Sequence, residues 1–504
     1  MSLPETFHPM TLGGAIRAAA RRDPGKVAIL HGACSRTFGE LAGRIDALRD
    51  AAITTLGVRK GDNVAIVARN CIEFMEVVAG LPDAGAAVAT VNPRLAPPEI
   101  AATIADCGAT LAFVDAASIA DVRAAGIANL RIVEIGAAYE ALIAQAVQPG
   151  ELPRIAEWDP WTIPYTSGTT GKPKGVILSH RSRMLVGLIC ASEFGCFGPD
   201  DRFLAMTPMN HGGGLGFPSG ILSLGGSIEI LDRFDPEQTL ERLKFGGITG
   251  LFMVPTHFQM IFALPAATLA KYERPPIKSI LANAAPLPQA MKEQIIPYFG
   301  ETVLHELYAA TETGLVCNLR PRDQLLKQQC VGTTFAHVEA EIRRDDGSIC
   351  DADEIGELWS RSPVLFNGYW NRPEETAKAV RDGWVSVGDM ARRDDEGYIH
   401  IVDRKKDMVI SGGVNIYPRE IEELLFTHPA IADFAVIGVP DDTWGERLLT
   451  YAVAREPGLT AEAIIAFCTG KIAAYKIPKH LALVDTLPRN ANGKVLKTEL
   501  RSRA

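Results

Sequence analysis

None of the nine cysteines forms a Cys-x-x-Cys pair, and their number is odd. This argues against a thiolate zinc site and a closed disulfide framework, and suits a reducing compartment. Positive charge is not in surplus either. With 51 Lys and Arg against 60 Asp and Glu, the net charge is −9, which argues against a general nucleic-acid or anionic-membrane binder. No internal repeat or low-complexity tract is present, and no basic segment followed by an apolar core opens the chain. A secretory signal is therefore not expected, and a cytoplasmic location is. One long stretch, Phe203 to Ile228, lacks Asp, Glu, Lys and Arg altogether. Its seven glycines, two prolines and His211 argue against a bilayer span and for buried loop and cavity wall.

A chain of 504 residues with 47% hydrophobic composition is too long for one ordinary core and implies two or more domains. The first 150 residues alternate helical and strand-like patterns. Leu12–Arg21, Phe38–Leu48 and Glu73–Leu81 read as helices, the last ending by Pro82. Val27–Leu30, Asn63–Val67 and Ala87–Val91 read as strands. This alternation predicts α/β layers around a parallel sheet. Gln148–Pro160, rich in proline, reads as a linker, and a second α/β series follows to about residue 330. From Gly332 to Asp403 short strands and Asp-Gly or Glu-Gly turns predict a small β-rich subdomain. Asp403-Arg404-Lys405-Lys406-Asp407 is a dense charge cluster, read either as a solvated turn or as a hinge. About a hundred residues follow that could fold alone, with one helix starting at Pro418 and another capped by Thr460. The expected fold class is thus α/β. A large N-terminal domain (1–403) is joined by a hinge (404–407) to a small mobile α+β C-terminal domain (408–504).

The most informative stretch, residues 165–176, reads Tyr-Thr-Ser-Gly-Thr-Thr-Gly-Lys-Pro-Lys-Gly-Val. Its glycines let backbone N–H groups approach a ligand closely, and its hydroxyls and lysines suit a polyphosphate. It is not a Walker loop: only two residues separate Gly168 from Gly171, and Pro173 follows Lys172. By itself it also fits a surface hairpin between the apolar segments Trp161–Tyr165 and Val176–Leu178.

Other segments add chemistry. In Met206–Phe217 the three glycines after His211 suggest open space beside the imidazole. In Tyr308–Gly314, Thr311 can donate to a phosphate and Glu312 can hold Mg²⁺ through oxygen. Asp389 can accept from both hydroxyls of a ribose. Lys494 follows a turn made by Asn492 and Gly493, where a lysine is usually just solvated.

In this order and at these separations, the segments resemble those of the AMP-forming adenylating superfamily, which includes acyl- and aryl-CoA ligases, beetle luciferases and peptide-synthetase adenylation domains. The resemblance runs from about residue 10 to 500. It implies that Thr166, Ser167, Gly168, Thr169, Thr170 and Lys174 hold the β- and γ-phosphates of ATP. Ala284, Ala285 and Pro286, with Glu306, Tyr308 and Ala309, would line the adenine. Asp389 and Arg404 would grip the ribose, Thr311 would contact the α-phosphate and Glu312 the magnesium. Lys494 would reach into the site for adenylation, with His211 beside the reacting acid. Lys406 matches the hinge position. Ser411, Gly412 and Gly413 match the loop of the coenzyme A tunnel. Val439-Pro440-Asp441 and Gly445-Glu446 also look like those of stand-alone CoA ligases. Two positions depart from the family pattern: Val387 replaces the usual Thr and Ala309 the usual Gly.

The expected activity is acyl-adenylate formation from ATP and a carboxylic acid, then transfer to coenzyme A with Mg²⁺ as metal. No nucleic acid or membrane span is expected, and a homodimer stays open. The expected acyl pocket contains His211, Gly214, Asn283 and Leu307. Phe203–Ile228 and Ser279–Pro288 lack the acidic residue that an amino-acid ammonium would need, and they lack arginine for a dicarboxylate. The bulk of Leu307 and Asn283 favours a compact aromatic or short- to medium-chain acid. An enzyme loading a carrier protein, a luciferase-like oxygenase, a long-chain fatty acyl-CoA synthetase and a non-enzymatic nucleotide sensor remain alternatives.

Overall fold

The computed structural model describes residues 6–167, 173–489 and 494–504. The expected phosphate-loop residues Gly168, Thr169 and Thr170, the side chain of Ser167, and the Asn492-Gly493 turn lie outside the described residues.

Two large sheets dominate. One has seven strands, with Arg131–Glu134, Leu111–Val114, Asn63–Val67, Ala87–Val91 and Pro160–Ser167 adjacent and parallel. The other has nine. Its parallel centre runs Leu304–Ala310, Ser279–Ala282, Gly250–Met253, Arg202–Ala205, Ser227–Ile230, Val27–His31. Helices Leu12–Arg22, Phe38–Thr54, Ile72–Asp83, His180–Phe194 and Gly212–Ser223 contribute to a single apolar core with strands of both sheets. Parallel strands buried on both faces read as continuous apolar runs, as Ala87–Val91 does, with all five residues buried.

The helix Ile72–Asp83 is buried at every position except Glu73. It runs through Pro82, where the sequence predicts a stop. The missing Pro82 N–H leaves the Val78 carbonyl without its helical donor, and the Trp161 indole N–H donates to that carbonyl at 2.7 Å instead. The cost of the proline is offset from the neighbouring sheet.

Phe203–Ile228 is likewise not mainly loop. It holds the end of a strand, a loop through Met206–His211, the helix Gly212–Ser223 and the start of the next strand. It lacks charge because that helix is enclosed by protein. It crosses helix His180–Phe194 so closely that a Cβ at Gly220 would lie 3.1 Å from the Gly187 Cα.

A six-stranded sheet contains Glu339–Arg343, Gly356–Arg361, Val380–Arg381, Trp384–Val385, Asp389–Arg393 and Ile399–Arg404. After a turn at Lys405–Asp407 comes a smaller α+β domain. Strands Val409–Ser411, Val414–Ile416, Ile431–Asp441, Gly445–Ala454 and His480–Leu483 carry helices Pro418–Phe426 and Ala461–Cys468. Its apolar core is separate, built on Val409, Ile421, Leu425, Val436 and Ile464. The architecture is therefore a large α/β domain with mixed sheets and a smaller C-terminal α+β domain. Among the described residues no helix is long and apolar enough to cross a membrane.

Candidate active site

Segments from three sheets and the C-terminal domain meet at one place. Strand Pro160–Ser167 turns back as Pro173–Gly175, with Thr166 paired to Lys174 in antiparallel register. Thr166 and Lys174 thus lie opposite each other on adjacent strands. The outgoing arm differs from the expected single strand: Val176 bridges to Tyr369, and Leu178–Ser179 returns to Pro160–Thr162.

Thr311 and Glu312 lie at the tip of a second hairpin, between Leu304–Ala310 and Gly314–Leu319. A bulge at Tyr308–Ala309 shifts the register there, a device that redirects side chains at sheet ends. The Thr313 hydroxyl accepts from the Ala310 N–H at 3.1 Å, and the Phe366 N–H donates to the Glu312 carbonyl at 2.9 Å. The Tyr369 hydroxyl donates to the Glu312 carboxylate at 2.8 Å. Sequence reasoning had not singled out Tyr369. Its ring lies 5.2 Å beneath the Lys174 ammonium, which also pairs with Glu375.

Asp389 and Arg404 face each other across adjacent strands. The guanidinium Nε stands 3.3 Å from the Asp389 carboxylate, and the Tyr308 hydroxyl donates to the same carboxylate at 2.6 Å. Burial and that carboxylate push the Tyr308 phenol well above its ordinary range. Lys494 reaches this group from the C-terminal domain. Although the residue as a whole is exposed, crowding of its ammonium and the nearby Arg404 and Lys406 push its pKa down to about 8, with Asp407 and Asp389 opposing. Desolvation of the Lys406 ammonium likewise lowers its pKa, reinforced by Arg404 and Arg501 and opposed by Asp407 and Asp389. A pocket so rich in cations suits an anionic ligand.

His211 is the N-cap of helix Gly212–Ser223, half-buried, with its ring 3.3 Å from the Asn210 amide. A Cβ at Gly212 would stand 3.7 Å from the Thr311 hydroxyl, so the helix begins beside Thr311. The first N–H groups of a helix have no acceptor within it and carry its positive end.

The expectation of open space after His211 is only partly right. A Cβ at Gly213 would meet the Phe252 ring at 2.9 Å, and one at Gly214 would lie 2.0 Å from the Pro208 carbonyl oxygen. Gly214 is therefore demanded by packing and does not line open space. Gly216, with nothing within 4 Å of its missing Cβ, is the glycine that faces room. Leu307 is buried in the main core and Asn283 is half-buried, its carbonyl accepting from the Ala284 N–H at 2.6 Å.

Glu306, expected to line the adenine, is buried. Its carboxylate pairs with Lys292, which is 1% exposed, and accepts from the Leu287 N–H at 3.2 Å. Ala284, Ala285 and Pro286 are exposed on the preceding loop, with Ala284 at a φ of +75°. Glu306 thus fixes the loop that carries them. The signal was a lysine and a glutamate fourteen positions apart with no helical relation, which the sequence alone does not pair.

Ser411, Gly412, Gly413 and Val414 form a tight hairpin, with φ of +57° and +80° at the two glycines. The Gly412 N–H donates to the Trp444 carbonyl at 2.8 Å, and a Cβ at Gly412 would meet the Trp444 ring at 2.8 Å. Trp444 is 58% exposed and was not anticipated.

No group of three or more metal-ligating side chains occurs among the described residues. Glu312 still fits Mg²⁺, which is commonly held by one or two carboxylates together with substrate phosphates and waters.

Residues 16–370 match the family described as AMP-binding enzyme, and residues 420–494 match the AMP-binding enzyme C-terminal domain. The chain is 33% identical to the indoleacetate–CoA ligase of Aromatoleum aromaticum, over 98% of each chain. It is 32% identical to a feruloyl-CoA synthase of an Amycolatopsis species, over 96% of this chain and 97% of that one. It also superimposes on the o-succinylbenzoate CoA synthetase of Bacillus subtilis in complex with the acyl-adenylate intermediate OSB-AMP. The TM-score is 0.88 and the identity 27%, with 98% of each chain covered. The chain belongs to the AMP-binding enzyme family and is an AMP-forming carboxylic acid–CoA ligase that uses ATP and coenzyme A.

Proposed function

We propose that the acid is a compact aromatic one, with short- to medium-chain acids as weaker substrates. The observation that carries this reading is the open space at Gly216, on a helix that packs against aromatic rings. Phe217 and Phe252 have centroids 5.2 Å apart, Phe252 abuts Gly213, and Leu307 is buried in the same apolar core. The charge-free Phe203–Ile228 segment supports an uncharged tail. The relatives named for indoleacetate and ferulate act on aromatic acids. Burying about 150 Å² of aryl surface is worth roughly 4 kcal/mol, or about a thousandfold in kcat/KM over acetate.

In the proposed reaction a carboxylate oxygen attacks the α-phosphorus of ATP and pyrophosphate leaves. Thr166, Ser167 and Lys174, with Gly168, Thr169 and Thr170, hold the β- and γ-phosphates. Thr311 and the N-terminus of helix Gly212–Ser223 face the developing negative charge, and Lys494 stabilises it. Asp389 and Arg404 orient the ribose, and Tyr308, Ala309, Ala284 and Ala285 flank the base. Glu312 would hold Mg²⁺, which supplies charge neutralisation at the phosphates. His211 sits beside the acid, with Asn283 and Leu307 limiting the tail.

In the second step a thiolate attacks the acyl carbon and AMP leaves. Lys494 and the Ser411–Gly413 hairpin belong to one domain, 408–504, yet serve different steps. Rotation about 404–407, centred on Lys406, exchanges them. Domain 1–403 keeps the acid and nucleotide in place throughout.

A coupled assay for AMP release with ATP, Mg²⁺ and free coenzyme A tests this reading. Its acid panel runs from acetate to palmitate and includes benzoates, cinnamates, arylacetates and malonate. Aromatic acids should lead, and Lys494→Ala should abolish the signal. A best substrate of twelve or more carbons in a linear chain would overturn the compact aromatic assignment. Pyrophosphate exchange without coenzyme A turnover would point to a carrier protein as acceptor.

A further inference from the structure

Helix Pro373–Ala379 lies outside every motif discussed so far, yet one of its side chains reaches the phosphate-loop lysine. Glu375 pairs with the Lys174 ammonium, whose side chain is only 13% exposed. The Glu375 Oε2 is shielded from solvent. The other side of this carboxylate faces Arg372 Nε at 3.7 Å. Arg372 is itself anchored on Asp106, which accepts from the Tyr165 hydroxyl at 2.8 Å. The helix is tied down further where the Tyr369 N–H donates to the Thr376 hydroxyl at 2.9 Å. Glu375 is therefore not a loose surface acid that happens to touch a lysine. It is held in place on the strand hairpin that carries Lys174.

Tyr369 joins this pair to the second half of the site. Its ring lies under the Lys174 ammonium and its hydroxyl donates to Glu312. Lys174 and Glu312 are the groups assigned above to the phosphates and the metal. Each has a partner within the protein: the lysine has a carboxylate and a ring, and the glutamate has a phenol. A polyphosphate arriving at Lys174 must share its ammonium with Glu375 or displace it. In either case a fixed negative charge stands beside the incoming anion, which weakens its binding.

We propose that Glu375 is an affinity-setting residue. It is an internal counter-ion that competes with the ATP and pyrophosphate phosphates for Lys174, lowering affinity for both and so easing release of pyrophosphate. Tyr369 is the platform that keeps Lys174 within reach of both partners. The inference rests on the assignment of Lys174 to the phosphate loop.

Binding of MgATP and of magnesium pyrophosphate is measured by calorimetry on the full-length protein without acid, at fixed ionic strength. The proteins are wild type, Glu375→Gln and Glu374→Gln. Glu374 is exposed one position earlier on the same helix, so its replacement removes the same charge without touching the pair. Glu375→Gln should bind both ligands three- to tenfold more tightly, and Glu374→Gln should stay within twofold of wild type. Steady-state assays should show a lower KM for ATP in Glu375→Gln, together with stronger inhibition by pyrophosphate. Equal or weaker binding by Glu375→Gln, in a protein whose melting temperature matches wild type, overturns the proposal. So does equal tightening in both variants, which would reduce the effect to general surface charge. Wild-type protein that binds no MgATP would overturn the underlying site assignment as well, and that outcome is distinct from the other two.

Discussion

Raising the pH should switch off the adenylation half-reaction at an unusually low value for a lysine-dependent step. The Lys494 amine is held near 8, against an ordinary value of 10.5, because its ammonium is crowded and faces Arg404 and Lys406. With a pKa of 8, half of the amines are charged at pH 8, about a tenth at pH 9 and roughly 1% at pH 10. An ordinary lysine would still be more than about 90% charged at pH 9. If the charge is what stabilises the departing phosphates, kcat/KM for ATP should fall about tenfold per pH unit above 8. Bound ATP places negative charge beside the amine and favours its protonated form. The basic limb of kcat should therefore lie at higher pH than that of kcat/KM, since the two report the complex and the free enzyme respectively.

Pyrophosphate exchange from pH 6 to 10 at constant ionic strength measures this half-reaction alone. Unfolding through this group cannot produce the same limb. A lysine whose folded value lies below its unfolded one binds its proton in the unfolded chain between about 8 and 10.5, so its contribution to stability rises over that window. Lys494→Arg supplies a guanidinium that does not titrate and should give a lower but flat profile to pH 10. Lys494→Ala should lose at least a hundredfold and show no limb. A wild-type profile flat to pH 9.5, or an unchanged limb in the alanine variant, would refute the assignment of the charge to Lys494.

Three further outcomes follow from the geometry. Lys406→Pro should slow thioester formation far more than pyrophosphate exchange, because it stiffens the backbone where the domain is proposed to rotate; equal losses in both steps would remove the hinge assignment. Lys292→Met leaves the Glu306 carboxylate buried without its cation and should cost about 3–5 kcal/mol in denaturant melts, with a raised KM for ATP as the loop after Asn283 loosens; a loss below about 1 kcal/mol would show that the pair does not hold that loop. Gly214→Ala forces a methyl onto the Pro208 carbonyl and should destabilise by about 1–3 kcal/mol, whereas Gly216→Ala should keep the melting temperature and shift acid preference towards smaller tails; the reverse pattern would place the pocket elsewhere.

The order of elements was largely legible because it rests on local chemistry. Apolar runs of strand length and the Thr460 cap need only near neighbours to be read. Two errors came from partners far away in sequence. The helix passes through Pro82 where Trp161 donates to the Val78 carbonyl, and the uncharged Phe203–Ile228 stretch contains a helix enclosed by protein. The glycines after His211 misled for a related reason. A glycine looks alike in sequence whether it faces open space, as Gly216 does, or a carbonyl, as Gly214 does.

The same limit explains which site residues were missed. Thr311, Glu312, Asp389, Arg404 and Lys494 sit in recognisable segments, whereas Tyr369, Glu375 and Lys292 act through pairings between elements that adjoin only in three dimensions. Those pairings change how binding must be viewed. Lys174 has Glu375, Glu312 has Tyr369, and Asp389 has Arg404 and Tyr308. These groups are paired within the protein, so a nucleotide contacting them would exchange partners and not fill unsatisfied groups. Only the difference between old and new partners appears as affinity. At Lys494 burial, Arg404 and Lys406 disfavour the charge, and Asp407 and Asp389 oppose them. If Lys494 supplies the charge for adenylation, as proposed, its electrostatic gain would fall in the transition state, which is where added stabilisation raises the rate instead of merely tightening the ground state.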